Sequence, residues 1–154
     1  MHLTNNIGYL LQHTAGTLAR QSDQILQERL GIGVSQYKIM MVLQENPSVQ
    51  QKYIAENLGQ TEASISRQIK LMHQEGLLQT RISQENRRVH ITTLTRKGIR
   101  LADEATNVLN QYHAPMWESL GEKGQRNFVG ILNKLHQESC RGDKPGRCQQ
   151  SYLD

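Results

Sequence analysis

The chain has 154 residues, of which 36% are apolar, and its mean hydropathy of -0.63 makes it more polar than most compact monomers of this size. No apolar run reaches the roughly 20 residues of a membrane span, and the N-terminal segment lacks the basic region and cleavage site of a signal peptide. Both cysteines, Cys140 and Cys148, lie near the C-terminus, which suits a reducing compartment. We therefore expect one cytoplasmic domain with no membrane association.

The net charge is unevenly distributed along the chain. The whole sequence carries +4, which by itself is weak evidence for any partner. Between Thr61 and Arg100, however, eight basic residues face three acidic ones, so this segment carries +5 and the remainder of the chain −1. The basic residues of the segment are Arg67, Lys70, Arg81, Arg87, Arg88, Arg96, Lys97 and Arg100. A nucleic-acid partner, if there is one, is expected to bind here.

The first third of the chain predicts two helices. Apolar residues recur at helical spacing over residues 3–30, and Gly31 and Gly33 are expected to end that helix. Ser35 is predicted to cap a second helix, which stops near Asn46-Pro47.

A pair of short helices is predicted next. Ser48-Val-Gln-Gln51 fits a capping box at the start of a helix that ends at Gly59. A further helix is expected from about Thr61 to Gln74, and two short helices around a glycine-containing turn are typical of a helix-turn-helix.

The helix over residues 61–74 has two different faces. Ile65, Ile69 and Met72 fall on one side, at steps of four and three. The opposite side carries Ala63, Ser64, Arg67 and Lys70, which are small, polar or basic. Such a face suits a helix that enters a DNA groove, although an ordinary solvated face has the same pattern.

Two strands, two helices and a tail are predicted for the rest of the chain. Alternating residues indicate strands around Leu78–Ile82 and Val89–Thr93, joined by a polar loop that ends in Asn-Arg-Arg. Thr95 is expected to cap a helix that runs to about Pro115, and the last helix begins near residues 119–122. From Glu138 onward no periodicity remains, so a disordered tail is expected.

Two short stretches resemble the MarR family of winged helix-turn-helix regulators. The run Asn-Arg-Arg-Val-His-Ile-Thr-Thr-Leu-Thr-Arg-Lys-Gly (86–98) is similar to the family's wing signature. Gln-Glu-Gly-Leu-Leu (74–78) matches the end of the family's recognition helix. The resemblance covers roughly residues 5–137.

The resemblance implies a mainly α fold with the element order α-α-α-α-β-β-α-α. Dimerisation helices are expected at 1–30 and 95–137, a DNA-binding lobe at 34–98, and a tail at 138–154. The implied activity is that of a homodimeric regulator, most simply a repressor, on a pseudo-palindromic site in double-stranded DNA. Residues expected at the DNA are Ser35, Gln36, Thr61, Ala63, Ser64, Arg67, Gln68, Lys70, Asn86, Arg87 and Arg88.

The wing departs from the family pattern at one position. Asn86 stands where relatives usually carry an aspartate that orients the wing arginine. An amide oxygen still accepts a hydrogen bond but offers no charge. The orientation of Arg88 is therefore less constrained than in relatives, unless Glu85 takes over the ion pair.

The family resemblance also implies a small phenolic or carboxylate effector between the dimer region and the DNA-binding lobe. Candidate lining residues are His13, Tyr37, Met41 and Tyr112, each of which can equally be a packing residue. The six histidines show no close ligand pair, so neither metal nor other cofactor is expected.

The sequence gives less support to three other functions. A redox regulator would have to use Cys140 and Cys148, whereas peroxide sensors of the family carry their reactive cysteine near the N-terminus. A winged-helix protein that uses its wing for protein contact, without binding DNA, would not require the concentration of positive charge between Thr61 and Arg100. No nucleophile–base, phosphate-loop or dinucleotide motif supports an enzyme.

Overall fold

A computed structural model describes residues 6–140 of the chain. It contains six helices and three short strands within that range. In chain order they are α1 (Ile7–Leu30), α2 (Val34–Glu45), β1 (Val49–Gln50), α3 (Gln51–Leu58), α4 (Glu62–Gln74), β2 (Leu78–Ile82), β3 (His90–Leu94), α5 (Arg96–Glu118) and α6 (Gly121–Cys140). The predicted mainly α winged helix-turn-helix class is confirmed, with one strand more than expected.

The first helix ends at Leu30 as predicted, but it begins at Ile7, four residues later than the predicted start at residue 3. Asn6 caps it by accepting the amide hydrogen of Tyr9 at 3.0 Å. Gly31 ends it with φ of 67°, a left-handed conformation that glycine adopts without steric cost.

The prediction that Ser35 caps α2 is wrong. The cap is Gly33, and Ser35 lies in the first turn of the helix. Two side chains accept hydrogen bonds from free amides at this helix start. Gln36 Oε1 accepts from the Gly33 amide at 3.0 Å, and Asp23 of α1 accepts from the Val34 amide at 2.8 Å. One of these contacts comes from another helix, α1, so the sequence around α2 does not reveal it.

The predicted capping box at Ser48 and Gln51 is also wrong. Val49 and Gln50 instead form β1, which pairs antiparallel with β3 in a sheet of order β1-β3-β2. The Ser48 hydroxyl accepts a hydrogen bond from Arg81 at 3.3 Å rather than capping α3. A two-residue strand is too short to produce an alternating pattern, so only its partner across the sheet specifies it.

The core of the described chain lies between α2, α3, α4 and the sheet, with α1 and α5 closing one side. Ile39, Met40 and Leu43 of α2 meet Ile54 of α3 there. The predicted inner face of α4 is confirmed, because Ile65, Ile69 and Met72 are all buried.

Helix α5 is anchored against the end of α4. The predicted cap, Thr95, accepts the Gly98 amide at 3.1 Å and donates its hydroxyl to the Gly76 carbonyl at 2.7 Å. A Cβ at Gly98 would lie 2.2 Å from the Leu77 carbonyl oxygen. Only glycine therefore permits α5 to approach the chain at this point.

The last two helices, α5 and α6, both extend beyond their predicted C-terminal ends. Helix α5 continues through Pro115 to Glu118, and the proline removes one backbone donor without ending the helix. Helix α6 includes residues 138–140, which were expected in the tail. The remainder of that tail, with Cys148, lies outside the described residues.

Candidate nucleic-acid interface

Helix α4 sits on the surface of the lobe with one face free. The turn before it uses Gly59 at φ of 62°, and Thr61 caps the helix by accepting the Ser64 amide at 3.2 Å. The acidic Glu62 lies in the first turn, where a carboxylate is favourable next to the helix N-terminus. Packing of the buried face against α2, α3 and the sheet therefore fixes which residues project outward.

The free face of α4 carries most of the predicted contact residues. Ala63, Arg67 and Lys70 are exposed along it. Ser64 and Gln68 are half-buried at its border, and the Ser64 hydroxyl donates to Gln60 Oε1 at 3.4 Å. The centre of the face is thus a small residue followed by two cations, with the polar residues at its edge.

The wing loop between β2 and β3 is a hydrogen-bonded turn. The Ser83 amide donates to the Val89 carbonyl at 2.8 Å, and the Val89 amide donates to the Asn86 carbonyl at 2.9 Å. Asn86 Oδ1 accepts the backbone amide of Arg88 at 3.0 Å. Asparagine is suited to such a turn because its short side chain bonds to the backbone two residues on.

The structure therefore gives Asn86 a different task from orienting a guanidinium. It orders the backbone of the loop, and within residues 6–140 the side chains of Arg87 and Arg88 have no hydrogen-bond or ion-pair partner. Glu85 makes no ion pair with Arg88. Both arginines are exposed and available to an external anion.

Within the described residues, the basic residues of the positive segment are not paired with acidic side chains. All eight of its basic residues are exposed. An ion pair between Arg126 and Glu122 lies outside the segment, in α6. Two of the eight also hold the fold together: Arg81 bonds to Ser48, and Lys97 Nζ donates to the Glu75 carbonyl at 2.7 Å.

The start of α2 lies close to the end of α4. Gln36 Nε2 donates to Glu75 Oε2 at 3.2 Å, so the side chain of Gln36 is already engaged. Ser35 is half-buried in the first turn of α2. Amides of a first helical turn have no carbonyl partner in their own helix, so those of Ser35 and Gln36 keep the predicted capacity to meet a phosphate.

The four predicted effector residues do not form one cluster. The Tyr37 hydroxyl lies 3.1 Å from the Thr106 hydroxyl, which is also 3.6 Å from Met41 Sδ, so these two residues meet against α5. His13 stacks on Tyr9 on the exposed side of α1, with ring centroids 5.6 Å apart.

Tyr112 lines a separate cavity between α1 and α5. Its volume is about 220 Å³, and the other lining residues are Ile25, Arg29, Val108 and Gln111. Sequence reasoning missed Arg29, because nothing local distinguishes one basic residue near a helix end from another.

The structure also bears on metal binding and on membrane-spanning helices. No group of three histidine, cysteine, aspartate or glutamate residues in the described part of the chain is placed to hold a metal ion. Within residues 6–140, no helix is both long and apolar enough to cross a bilayer.

Comparison with known proteins agrees with this geometry. The family model described as "MarR family" matches residues 30–89, which include α2, the helix-turn-helix and most of the wing. The organic hydroperoxide resistance transcriptional regulator of Bacillus subtilis (strain 168) is 27% identical over 108 residues, which are 70% of this chain and 73% of that protein.

Solved structures share the fold. The transcriptional repressor CouR bound to a 23-mer DNA duplex superposes with a TM-score of 0.79 at 22% identity, over 87% of this chain and 94% of that one. CouR from Rhodococcus jostii RHA1 bound to p-coumaroyl-CoA gives a TM-score of 0.73 at 19% identity, over 100% of this chain and 99% of that one. With the family model, the wing and the exposed recognition helix in agreement, the predicted resemblance of the chain to the MarR family of winged helix-turn-helix transcriptional regulators is confirmed.

Proposed function

We propose that the protein is a homodimeric repressor that binds a pseudo-palindromic site in double-stranded DNA. The observation that carries this proposal is the exposed surface formed by the free face of α4 and the wing arginines, where cations stand without acidic partners. Unpaired cations on one surface favour a polyanion, because binding releases counterions from its phosphates. The similar repressor CouR, solved on a DNA duplex, supports the same reading.

Each part of this surface has its own role on the duplex. Helix α4 enters the major groove, where Ala63 permits close approach and Arg67 reaches a base edge or a phosphate. Thr61, Ser64, Gln68 and Lys70 contact the groove walls. Arg87 and Arg88 reach the adjacent minor groove, where a narrow A·T-rich segment attracts guanidinium groups, and Asn86 holds their loop in shape.

The dimer is formed by the terminal helices. Ile7 of α1 is 78% exposed, Phe128 of α6 39% and Ile131 of α6 57%, and Leu10, Leu11, Trp117, Leu120, Val129 and Leu135 are exposed beside them. Such a run of exposed apolar side chains needs a partner. A second copy of the chain covers it by twofold symmetry and gives two recognition helices, hence a pseudo-palindromic site. We assign dimerisation to residues 1–30 and 95–137, and DNA binding to 34–98.

A small aromatic carboxylate is the effector class that the residues favour. The cavity between α1 and α5 presents the cationic Arg29 and the aromatic Tyr112. Its two walls are helices that we assign to the dimer, so a ligand there would shift the spacing of the two recognition helices. The complex of CouR with p-coumaroyl-CoA supports an aromatic acyl ligand by analogy alone.

The test begins with selection of bound duplexes from a random pool. The expected result is an enriched sequence with two inverted half-sites about one helical turn apart. The double variant R87A/R88A should then bind the selected duplex at least tenfold more weakly and with a salt slope reduced by about 2. Normal binding by this variant would contradict the wing assignment and favour a wing that contacts protein.

A further inference from the structure

A cleft separates the recognition helix from the first strand of the wing. It measures about 380 Å³ and lies between the flank of α4 and β2, with α3 at one end. Six polar side chains line it: Gln51, Ser66, Lys70, His73, Gln74 and Thr80. Only Lys70 of these belongs to the recognition surface described above.

The chemistry of the lining suits an anion. Each of the six side chains can donate a hydrogen bond, and no carboxylate lines the cleft. Among the described residues none of the six has a side-chain hydrogen bond or ion pair. An ammonium group and five further side chains that can donate, with no carboxylate among them, line a concave site that suits a phosphate oxygen.

The position of the cleft matches the path of a DNA strand. One sugar–phosphate backbone separates a major groove from the minor groove beside it. If α4 lies in the major groove and the wing in the adjacent minor groove, that backbone must pass between α4 and the wing. The cleft is the concave surface on this path.

We propose that this cleft is a seat for a single phosphodiester of the DNA backbone, held chiefly by Lys70 and His73 and bordered by Ser66, Gln51 and Thr80. The inference rests on the proposed DNA-binding function and adds His73 to the interface. The seat carries no base information, so it fixes the register of the protein on the duplex and leaves the reading of sequence to the outer face of α4.

The first experiment compares K70Q and H73Q with the matched control K123Q, which removes an exposed charge from the first turn of α6. On the selected duplex, K70Q should lose about tenfold in affinity, the loss expected when one charge-assisted hydrogen bond of about 1.4 kcal/mol is removed. Its salt slope should fall by about 0.9. H73Q should lose about threefold, and K123Q should bind as the wild type does.

The second experiment locates the phosphate. Methylphosphonate substitution removes the charge of one phosphate at a time along the selected duplex. The wild type should lose affinity at one position in each half-site, between the major-groove and minor-groove segments, and K70Q/H73Q should be insensitive to the same position. Far-ultraviolet circular dichroism confirms that the variant is folded.

The outcomes separate this proposal from the function on which it rests. If the folded wild type selects no duplex at all, the DNA-binding function fails. If the wild type binds DNA but every methylphosphonate affects the wild type and K70Q/H73Q equally, the cleft does not hold a phosphate. The proposed DNA-binding function is then unaffected. Competition by millimolar inorganic phosphate at constant ionic strength would assign the cleft to a free anion and overturn the seat as well.

Discussion

The DNA-binding lobe and the terminal helices differ in how far their apolar side chains are buried. Within the described residues, every buried hydrophobic side chain lies between Leu26 and Ala105. Helix α6, by contrast, keeps Phe128, Val129, Ile131 and Leu135 exposed. The lobe, together with Leu26 of α1 and Ala102 and Ala105 of α5, therefore closes its core within one chain, whereas α6 keeps an apolar face exposed. In the proposed homodimer a second copy of the chain covers this face, which accounts for the polar composition of the chain.

The largest expected effect lies in the terminal helices. The double change F128D/I131D places two carboxylates on the face that we assign to the dimer, where burying an unpaired charge is costly. The dimer dissociation constant should rise at least about 100-fold, which corresponds to about 2.7 kcal/mol. Sedimentation equilibrium measures it.

The matched control for that change is E122K/K123E, which exchanges charges at exposed positions of the same helix. It should remain a dimer. Unchanged association of F128D/I131D would show that this face is not the interface and would remove the contrast between the two regions.

An effect of similar size is expected in the core of the lobe. Ile65 of α4 is completely buried, so I65A leaves a cavity and should lower the free energy of unfolding by about 3 kcal/mol. Chemical denaturation measures the loss, and L71A on the exposed side of the same helix is the control, with an expected loss below about 1 kcal/mol. Equal losses for both would contradict the assignment of faces on α4.

A smaller effect of opposite sign is expected in the sheet. Thr92 of β3 is fully buried, and its hydroxyl has no hydrogen-bond partner in the described part of the chain. T92V replaces that hydroxyl by a methyl group of similar shape and should raise the free energy of unfolding by about 1 kcal/mol. T93V, at the half-buried neighbour, is the comparison. A loss of stability in T92V would show that the hydroxyl is satisfied in solution.

The smallest effect is expected in the wing loop. N86A removes the acceptor for the Arg88 amide and should weaken DNA binding about threefold, because one neutral hydrogen bond of about 0.7 kcal/mol orders the loop. N86D keeps an acceptor oxygen at the same place and should bind within about twofold of the wild type. If N86D and N86A lose affinity equally, the amide oxygen is not what orders the loop.

The sequence was most informative where a structural feature is local. The helix start at Thr61, the cap at Thr95, the turn at Gly59 and the buried face of α4 all depend on residues within a few positions of one another. Periodicity and capping chemistry therefore predicted them correctly.

Features that depend on distant residues were missed. The cap of α2 depends on Asp23 of another helix, and β1 exists only because it pairs with β3. The cleft between α4 and β2 joins residues from three elements, so His73 could not be distinguished from an ordinary surface histidine. The role of Asn86 was half predicted: its position in the wing was recognised, but its bond to the Arg88 backbone follows from the turn geometry.

Hydroxyl-radical footprinting of the selected duplex tests the central claim most directly, because it reports symmetry and groove contacts together. The wild type should protect a dyad-symmetric pattern, with two inner segments one helical turn apart and a flanking minor-groove segment on each side. R87A/R88A should lose the flanks and keep the inner segments. An asymmetric footprint, or flanks that survive in R87A/R88A, would contradict a dimer that reads DNA with α4 and the wing.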